Sequence, residues 1–278
     1  MKKRIIYLLI LSLILFLNLG IYFNTCLRVT FYNIQTNISK PIRIVQLSDL
    51  HSAQFGKENE ELIQKIKDQS PDLIVMTGDM FSKDHSDIQV SLDLIKVLSS
   101  MYSVYYGYGN HEANWIGKDL KGKLEQAGAI VLDRSYVDVV INDTSIRIGG
   151  YEGYYGTPHM NTKDEKEQEK IRLFMKDFEE TDSYKILLNH VPTSWVDWNY
   201  IDTYPVDLVF SGHYHGGLIQ IPFVNRGLYA PYVGWFPKNC KGMYVGKKAT
   251  CVLSGGLGNH YSIPRINNAP EIVVVDLY

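Results

Sequence analysis

The chain has 278 residues, of which 45% are hydrophobic and 21% charged, and its net charge at pH 7 is −2. This apolar content and small net charge exclude an intrinsically disordered chain, and 22 glycines and three cysteines exclude collagen-like and disulfide-scaffold classes. Because 28 basic residues are balanced by 30 acidic ones, we expect no nucleic-acid partner bound through bulk charge.

The N-terminus joins a short basic segment to a long apolar run. Residues 2–4 are Lys-Lys-Arg, and the nineteen residues Ile5–Phe23 that follow are almost all apolar. As a helix this run extends about 28 Å, close to the ~30 Å hydrocarbon core of a bilayer. The length favours an uncleaved transmembrane signal anchor at residues 1–23 over a cleaved signal peptide. Since basic residues stay in the cytoplasm, we expect a single-pass cell-membrane protein with residues 24–278 outside the cytoplasm.

Beyond this anchor, apolar runs of strand length alternate with amphipathic segments of helical period. The first half of the chain predicts strands at 27–36, 42–47, 73–77 and 103–108, and helices at 58–68, 86–99 and 118–126. The second half predicts strands near 130, 139 and 148, a helix at 164–180, strands at 185–188, 207–210, 218–221 and 272–277, and a hairpin around Gly246. No linker divides these elements. They predict one α/β domain in which helices cover two packed sheets.

The cysteines leave two alternatives open. Cys240 and Cys251 flank the predicted hairpin, where they either form a disulfide or remain two buried thiols. No pair of cysteines has the spacing of a zinc ribbon. Any metal site in this chain therefore uses histidines and carboxylates.

Polar side chains follow five of the predicted strands at the point where each strand ends. Ligand sites in open α/β sheets form just beyond the carboxyl ends of strands, so we expect these side chains to converge. They are Asp49 and His51, then Asp79, then Asn110 and His111, then His190, and finally His213 and His215.

These residue types are ligands for divalent metals, and they exceed what one tetrahedral ion needs. They suit two ions that share a bridging carboxylate, with Mn, Fe and Zn all acceptable to such ligands. Two divalent ions, two aspartates and a bridging hydroxide leave a net charge of about +1, which favours an anionic phosphate over a neutral amide. Two metals about 3.5–4 Å apart stabilise both the attacking and the leaving oxygen of an in-line displacement.

The motifs resemble those of the calcineurin-like metallophosphoesterase superfamily: Asp49-x-His51, Gly78-Asp79, Gly109-Asn110-His111-Glu112, His190 and Gly212-His213-Tyr214-His215. The segments 216–217, 228–231 and 254–258 further resemble a bacterial, membrane-anchored subgroup. That subgroup includes hydrolases of lipid-linked phosphates and pyrophosphates. The resemblance implies a four-layer α/β/β/α sandwich.

The resemblance also implies a role for each polar residue. His111 stabilises the transition state and protonates the leaving oxygen rather than binding metal. Glu112 is either a hydrogen-bonding partner of the site residues or a turn residue. The seven metal ligands divide into Asp49, His51 and His215 at one ion, Asn110, His190 and His213 at the other, and Asp79 as the bridge.

Two positions depart from the family pattern. Relatives often place an aspartate three residues after the bridging one to orient the catalytic histidine. Here Ser82 occupies that position and Asp84 follows two residues later, so the orienting group is left open. Subgroup members tend to carry arginine where this chain has Gly255, which leaves phosphate binding to Arg265, to Arg226 or to neither.

We therefore expect a dinuclear metal-dependent phosphoesterase that hydrolyses a phosphate ester or pyrophosphate by in-line attack of a metal-bridging hydroxide. We favour a lipid headgroup as the substrate. The aromatic-rich stretch from Trp195 to Tyr244 is either core packing or a substrate rim that touches lipid, and the second alternative agrees with this choice. A surface nucleotidase or nuclease with the same metal site is one alternative. A metal-loaded binding protein without turnover is the other.

Overall fold

The computed structural model describes residues 2–82, 88–115, 119–151, 165–224, 226–231, 233–259 and 263–278. It begins with helix α1 (Lys2–Thr25), which coincides closely with the predicted apolar run. Within the described ranges, however, no helix has the length and apolar character needed to cross a membrane. The membrane-spanning helix that we predicted at residues 1–23 is therefore not supported, and the proposed boundary between residues 23 and 24 stays a prediction.

The first of two six-stranded sheets contains the strands of the first half of the chain and the last strand. Its spatial order places β16 between β1 and β2, so that the chain terminus pairs with the start of the domain. Strand β16 is antiparallel to β2 and parallel to β1, whereas β2 to β5 are mutually parallel. In spatial order the strands are β1 (Arg28–Ile34), β16 (Glu271–Leu277), β2 (Ile42–Leu47), β3 (Leu73–Met76), β4 (Ser103–Gly107) and β5 (Ile130–Leu132).

The second six-stranded sheet is built from the second half of the chain. Its central strands β7, β8, β9 and β15 run parallel to one another, and an antiparallel strand closes each edge. In spatial order the strands are β14 (Gly242–Val245), β15 (Thr250–Leu253), β9 (Leu208–Ser211), β8 (Tyr184–Asn189), β7 (Thr144–Tyr151) and β6 (Ser135–Ile141).

Two short hairpins follow β9 and were not expected as such from the sequence. The first pairs β10 (Gln220–Ile221) with β11 (Arg226–Gly227), where we had expected one strand at 218–221. The second pairs β12 (Tyr229–Ala230) with β13 (Gly234–Trp235). Strands of two residues leave no alternation in the sequence to detect.

Seven α-helices lie in the described part of the chain; beyond α1, four of them agree closely with the helices predicted at 58–68, 86–99, 118–126 and 164–180, whereas the two four-residue helices α4 and α7 were not predicted. The start of the helix predicted at 86–99 lies partly outside the described residues. After α1 the helices are α2 (Glu60–Gln69), α3 (Ile88–Ser99), α4 (Asn110–Ala113), α5 (Leu120–Gln126), α6 (Glu165–Glu179) and α7 (Thr193–Val196).

The alternation of side chains along each strand separates three layers of core. In β3, Leu73 and Val75 pack between the sheets, where they join Ile186 and Phe210 of the second sheet. Their neighbours in the same strand face the other way and pack against α2, α3 and α5. A third cluster lies between the second sheet and α6 and includes Phe178. The predicted mixed α/β sandwich, with helices outside two packed sheets, is confirmed.

Of the two alternatives for Cys240 and Cys251, the structure has the two buried thiols. Cys26, Cys240 and Cys251 are all free thiols, and the last two are buried. Gln220 donates through Nε2 to Cys240 Sγ at 3.1 Å. Burial raises the pKa of Cys251 to about 12. The disulfide between Cys240 and Cys251 is not formed.

Candidate metal centre

The carboxyl edges of the two sheets meet at one place, and Gln46 joins them there. Its Nε2 donates to Thr77 Oγ1 at 3.0 Å, next to the end of β3, and to the carbonyl oxygen of Ser211 in β9 at 2.8 Å. The five strands β2, β3, β4, β8 and β9 all end at this edge. The expected convergence of the eight polar residues results from this geometry. No motif in the sequence drew attention to Gln46.

The residues that follow these strands turn through unusual backbone conformations. Asp49, His51, Asp79, His213 and His215 all have positive φ, between 47° and 70°. Such values cost free energy for residues other than glycine, and they recur where a side chain must be aimed at a functional centre. Gly78, at φ 85°, is required here, because a Cβ would lie 2.1 Å from the backbone nitrogen of Gly109.

Three clusters of buried ligand atoms occupy the edge, each with its atoms within 4.8 Å of one another. The side chains in all of them are almost completely inaccessible to solvent. The clusters are Asp49, His51 and His215; His51, Asp79 and His111; and Asp79, His190 and His213.

Asp79 lies between the clusters. Its Oδ2 is 3.3 Å from His190 Nε2, 3.8 Å from His111 Nε2 and 4.0 Å from His51 Nε2. Asp49 Oδ1 is 3.5 Å from His215 Nε2 and 3.9 Å from Nε2 of both His51 and His190, whereas the shortest of these contacts, at 3.3 Å, belongs to Asp79. A carboxylate that faces histidines on both sides can contact two ions at once.

The donors fit a divalent cation, and Asn110 provides a separate observation to that effect. Among the described residues, Asn110 Oδ1 is one of the buried side-chain oxygens without a hydrogen-bond partner. Leaving a buried acceptor unsatisfied costs about 1–3 kcal/mol. An amide oxygen, imidazole nitrogens and carboxylates together form a donor set that borderline divalent metals accept.

The electrostatics of the two aspartates differ. Burial, opposed by the nearby charge of His190 and reinforced by Asp79, raises the pKa of Asp49 to about 6. Burial also acts on Asp79, but His190, His111 and His51 together hold the pKa of Asp79 well below its usual range. The two carboxylates in turn outweigh burial at His190 and raise its pKa to about 10. The two buried carboxylates therefore place negative charge among the histidines of the centre, which favours cations.

A backbone carbonyl contacts the ring of His111, and a carboxylate holds its backbone. Its Nδ1 is 3.1 Å from the carbonyl oxygen of Phe81, and its backbone N–H donates to Asp79 Oδ1 at 2.8 Å. Ser82 is not the orienting group, since its Oγ donates to the carbonyl oxygen of His51 at 3.0 Å. Asp84 lies outside the described residues.

Glu112 is a hydrogen-bonding partner of the site residues and not a simple turn residue. Its buried carboxylate accepts four hydrogen bonds from the loops that follow β3 and β4. The donors are Asp79 N–H at 2.8 Å, Met80 N–H at 3.0 Å, Gly109 N–H at 2.9 Å and Tyr106 Oη–H at 2.6 Å.

Arg265, which we had considered for phosphate binding, contacts the backbone of a loop instead. The side chain is completely buried, and its guanidinium donates to the carbonyl oxygens of Gly255, at 2.8 Å, and of Gly258, at 3.1 Å. It thus holds the loop Ser254–Gly258 in shape. Arg226 is exposed at the start of β11. Neither observation places an arginine among the metal-centre side chains.

Asn268 also supports the centre and was not expected from the sequence. Its Nδ2 donates to the carbonyl oxygens of His215 at 2.7 Å and of Leu218 at 3.1 Å. These bonds fix the turn that holds His215. An isolated asparagine outside any motif gives no sequence signal of such a contact.

The aromatic-rich stretch divides into two populations. Trp195 is completely buried in the core between the second sheet and α6. Trp235 and Phe236 are 64% and 55% exposed, and Phe223 is fully exposed. Core packing thus applies to one part of the stretch, and the role of the exposed part as a substrate rim that touches lipid stays a prediction.

Comparisons with known proteins agree with this site. The model of the calcineurin-like phosphoesterase family matches residues 42–217, which is more than half of the chain. The uncharacterized metallophosphoesterase Cj0846 of Campylobacter jejuni is 29% identical over 251 residues, covering 87% of this chain and 60% of that protein. This chain therefore spans less than two thirds of that relative's length.

Two further relatives match over most of their length. The uncharacterized metallophosphoesterase YkoQ of Bacillus subtilis is 26% identical over 240 residues, covering 84% of this chain and 82% of that protein. The UDP-2,3-diacylglucosamine pyrophosphatase LpxG of Chlamydia muridarum is 25% identical over an alignment of 289 residues, covering 84% of this chain and 83% of that protein. Since the family match includes all three metal-binding clusters, the chain belongs to the calcineurin-like phosphoesterase family and is a metal-dependent phosphoester hydrolase.

Proposed function

We propose that this protein hydrolyses lipid-linked phosphate esters or pyrophosphates at a dinuclear metal centre. When bound, divalent ions stabilise the phosphoryl oxygens as Lewis acids and make a nucleophile available at neutral pH. Asp79 would be the ligand shared by the two ions. The other ligands are Asp49, His51 and His215 at one ion, and Asn110, His190 and His213 at the other.

The position of Asp79 between the clusters supports the bridging role. Its carboxylate faces His51 on one side and His190 on the other, at 4.0 and 3.3 Å from Oδ2. The orphaned Oδ1 of Asn110 supports the second ligand set. Mn, Fe and Zn are all compatible with these donors.

His111 gives a proton to the leaving oxygen in this proposal. A carbonyl oxygen only accepts hydrogen bonds, so Nδ1 of His111 carries the hydrogen that faces Phe81. The reactive nitrogen is then Nε2, which points toward Asp79 at 3.8 Å. In the imidazolium form, Nε2–H stabilises the charge that develops on the phosphoryl group and then transfers its proton.

The observation that carries the lipid substrate is the exposed apolar surface next to the metal centre. The turn His215–Gly217 leads directly into the two hairpins β10–β11 and β12–β13. Large apolar side chains are exposed on and beside these hairpins. We call this set of side chains the apolar rim: Phe223, Val224, Val233, Trp235 and Phe236.

The backbone ties the apolar rim to the site. The N–H of Leu228 donates to the carbonyl oxygen of Gly217 at 3.0 Å, and the N–H of Phe236 donates to that of Leu228 at 2.9 Å. Apolar and aromatic side chains of this kind favour acyl chains and the headgroup interface. The similarity to LpxG, whose name describes a substrate with two acyl chains, is consistent with this choice.

The charge of the segment 208–270, which contains the two hairpins, also favours an anionic substrate. Residues 208–270 contain six Lys and Arg and no Asp or Glu, whereas the rest of the chain has 22 basic and 30 acidic residues. A region without carboxylates attracts phosphate groups over a range of about 10 Å at moderate salt.

A direct comparison of substrates tests this function. The purified full chain, loaded with Mn²⁺, is assayed in mixed micelles on a lipid-linked pyrophosphate and on a soluble nucleotide with the same bond. We expect the higher kcat/KM on the lipid. An equal or higher value on the nucleotide identifies a surface nucleotidase instead, and no turnover of either substrate or of a chromogenic phosphodiester identifies a binding protein.

The location outside the cytoplasm stays a prediction, which a reporter fused after Tyr278 tests.

A further inference from the structure

The loop Ser254–Gly258 forms one wall of the metal centre. The N–H of Gly258 donates to the carbonyl oxygen of Asp49 at 2.6 Å. A Cβ at Gly256 would lie 2.8 Å from Asp49 Cβ. The loop therefore packs directly on a residue that carries one of the two central carboxylates.

Lys241 lies against this loop from the neighbouring segment. A Cβ at Gly255 would be 3.3 Å from Lys241 Cδ. The ammonium of Lys241 donates to Asn268 Oδ1 at 3.3 Å, and Asn268 in turn donates to the carbonyl oxygen of His215. One side chain thus separates the Lys241 ammonium from the backbone of a metal-centre histidine.

The charge on Lys241 is not used by a carboxylate in the described part of the chain, where none of the ion pairs includes it. The nearby acid Glu271 is engaged elsewhere: Oε1 accepts from Gly255 N–H at 2.6 Å and Oε2 from Thr30 Oγ1 at 2.9 Å. An ammonium has three donors, and the bond to Asn268 uses one of them. Lys241 therefore retains donors and a positive charge at the edge of the centre.

We propose that Lys241 binds an anionic oxygen of the substrate's phosphate group. A lysine ammonium recognises phosphate as a compact point charge, and the segment 208–270 that contains Lys241 has no acidic residue. Arg265, by contrast, is completely buried, and its Nε, Nη1 and Nη2 each donate to a backbone carbonyl of the loop. The inference rests on phosphoester hydrolysis at this centre and is independent of whether the substrate is a lipid.

Binding of inorganic phosphate to the metal-loaded full chain tests the assignment without turnover. By isothermal titration calorimetry, Lys241→Gln should weaken phosphate binding about tenfold, the size expected for loss of one charge-assisted hydrogen bond. Glutamine keeps a donor for Asn268, so the metal content and the unfolding temperature should stay at wild-type values. Lys241→Arg should retain most of the binding.

Lys238→Gln is the matched control, because Lys238 is exposed and belongs to the same acid-free segment. It should leave the phosphate affinity unchanged. An unchanged phosphate affinity in Lys241→Gln overturns the inference. An equal loss of phosphate affinity in Lys241→Gln and Lys238→Gln also overturns it, because such a loss indicates only the general electrostatic attraction of the segment. A loss of metal from Lys241→Gln assigns the residue to support of His215 instead. Absence of turnover in the wild type, by contrast, contradicts the proposed function and leaves this binding measurement intact.

A second variant tests whether the position of the charge matters. Gly255 has no positive φ that would exclude a side chain, but a Cβ there would lie 3.2 Å from Glu271 Oε1 and 3.3 Å from Lys241 Cδ. Gly255→Arg alone should therefore lower the unfolding temperature through crowding. In the double variant Lys241→Ala, Gly255→Arg, the contact with Lys241 is removed and that with Glu271 remains, and the new guanidinium should restore phosphate affinity above that of Lys241→Ala. A double variant that binds phosphate no better than Lys241→Ala counts against the inference.

Discussion

The carboxylate of Glu112 accepts a hydrogen bond from the backbone N–H of Asp79 at 2.8 Å. The residue after His111 thus fixes the residue that we propose as the bridge between the ions. The same carboxylate also holds Gly109, from the loop that bears His111. One buried side chain therefore sets the distance between two parts of the centre.

Glu112→Gln should destabilise the protein because both carboxylate oxygens face donors. Oε2 accepts from two backbone N–H groups, and Oε1 accepts from Met80 N–H and from Tyr106. Either orientation of a glutamine amide places its NH₂ against a backbone N–H. We expect the free energy of unfolding to fall by about 1–3 kcal/mol for the unsatisfied donors, or about 2–4 °C in Tm for each kcal/mol.

Tyr106→Phe is the control for this effect. It removes a single donor to Glu112 and leaves every backbone bond in place, so its loss should be about 1 kcal/mol. Chemical denaturation of the two variants provides the measurement. A Glu112→Gln protein as stable as the wild type would show that the four contacts contribute nothing.

Much of this arrangement could be predicted from the sequence. Leu73–Met76 is continuously apolar, as expected of a parallel strand covered on both faces, and it is buried throughout. The polar residues after this strand and its neighbours were expected to converge because parallel strands end at one edge. The same short segments thus provide both the buried apolar strands of the sheet and the polar residues of the site.

Other features depend on long-range pairing that local patterns do not contain. The last strand, Glu271–Leu277, lies between two strands from the start of the domain, and nothing in its own pattern selects that place. Gln46 and Asn268 act through contacts with residues far along the chain. The carbonyl of Phe81 that orients His111 is a backbone group, which no residue type reveals.

Asp79→Asn should reduce the metal content at both proposed sites and abolish turnover. The carboxylate faces histidines of both proposed sites, so loss of its charge weakens both ions together. Inductively coupled plasma mass spectrometry of the purified variant gives the metal content. Asp93→Asn, which changes an exposed carboxylate on α3, is the control and should bind metal normally. Two retained ions and an unchanged rate would contradict the bridging assignment.

Removal of the metals should lower the unfolding temperature. Asp49 and Asp79 are buried together, and ions that bind only the folded state stabilise it by about 2.7 kcal/mol at 100 times their Kd. A chelator should lower Tm, and added Mn²⁺ should restore it, as measured by calorimetry. In Asp79→Asn the shift should be much smaller. An identical Tm with and without chelator would mean that the centre is not a metal site.

His111→Ala should leave the metals in place and lower kcat by about 10²–10⁴. His111 is held by the carbonyl of Phe81, and the proposal makes it the proton donor to the leaving oxygen. The loss should be smaller for p-nitrophenyl esters, whose leaving group needs no proton. A loss that is the same for good and poor leaving groups would assign His111 to charge stabilisation alone.

Replacing the exposed aromatics of the apolar rim should separate lipid from soluble substrates. Trp235 and Phe236 are exposed on the hairpin beyond His215, where their loss creates no cavity in the core. In the double variant Trp235→Ser, Phe236→Ser we expect kcat/KM on a lipid-linked pyrophosphate to fall about tenfold or more, since each buried aromatic contributes about 1.5–3 kcal/mol. Hydrolysis of a small soluble phosphodiester should stay near the wild-type rate, because the metal centre is untouched.

Val245→Ser provides the matched control for the apolar rim. Val245 is also exposed, but it lies at the end of β14 beside Thr250, at the amino end of the parallel strand β15 and thus opposite the metal centre. It should therefore leave both substrates unaffected, as an exposed apolar residue outside the rim. Equal losses on the lipid and the soluble ester in Trp235→Ser, Phe236→Ser would mean that these aromatics only hold the hairpin. Unchanged rates on both would remove the apolar rim as a reason to favour lipid, and the choice between lipid and nucleotide would then rest on the direct substrate comparison.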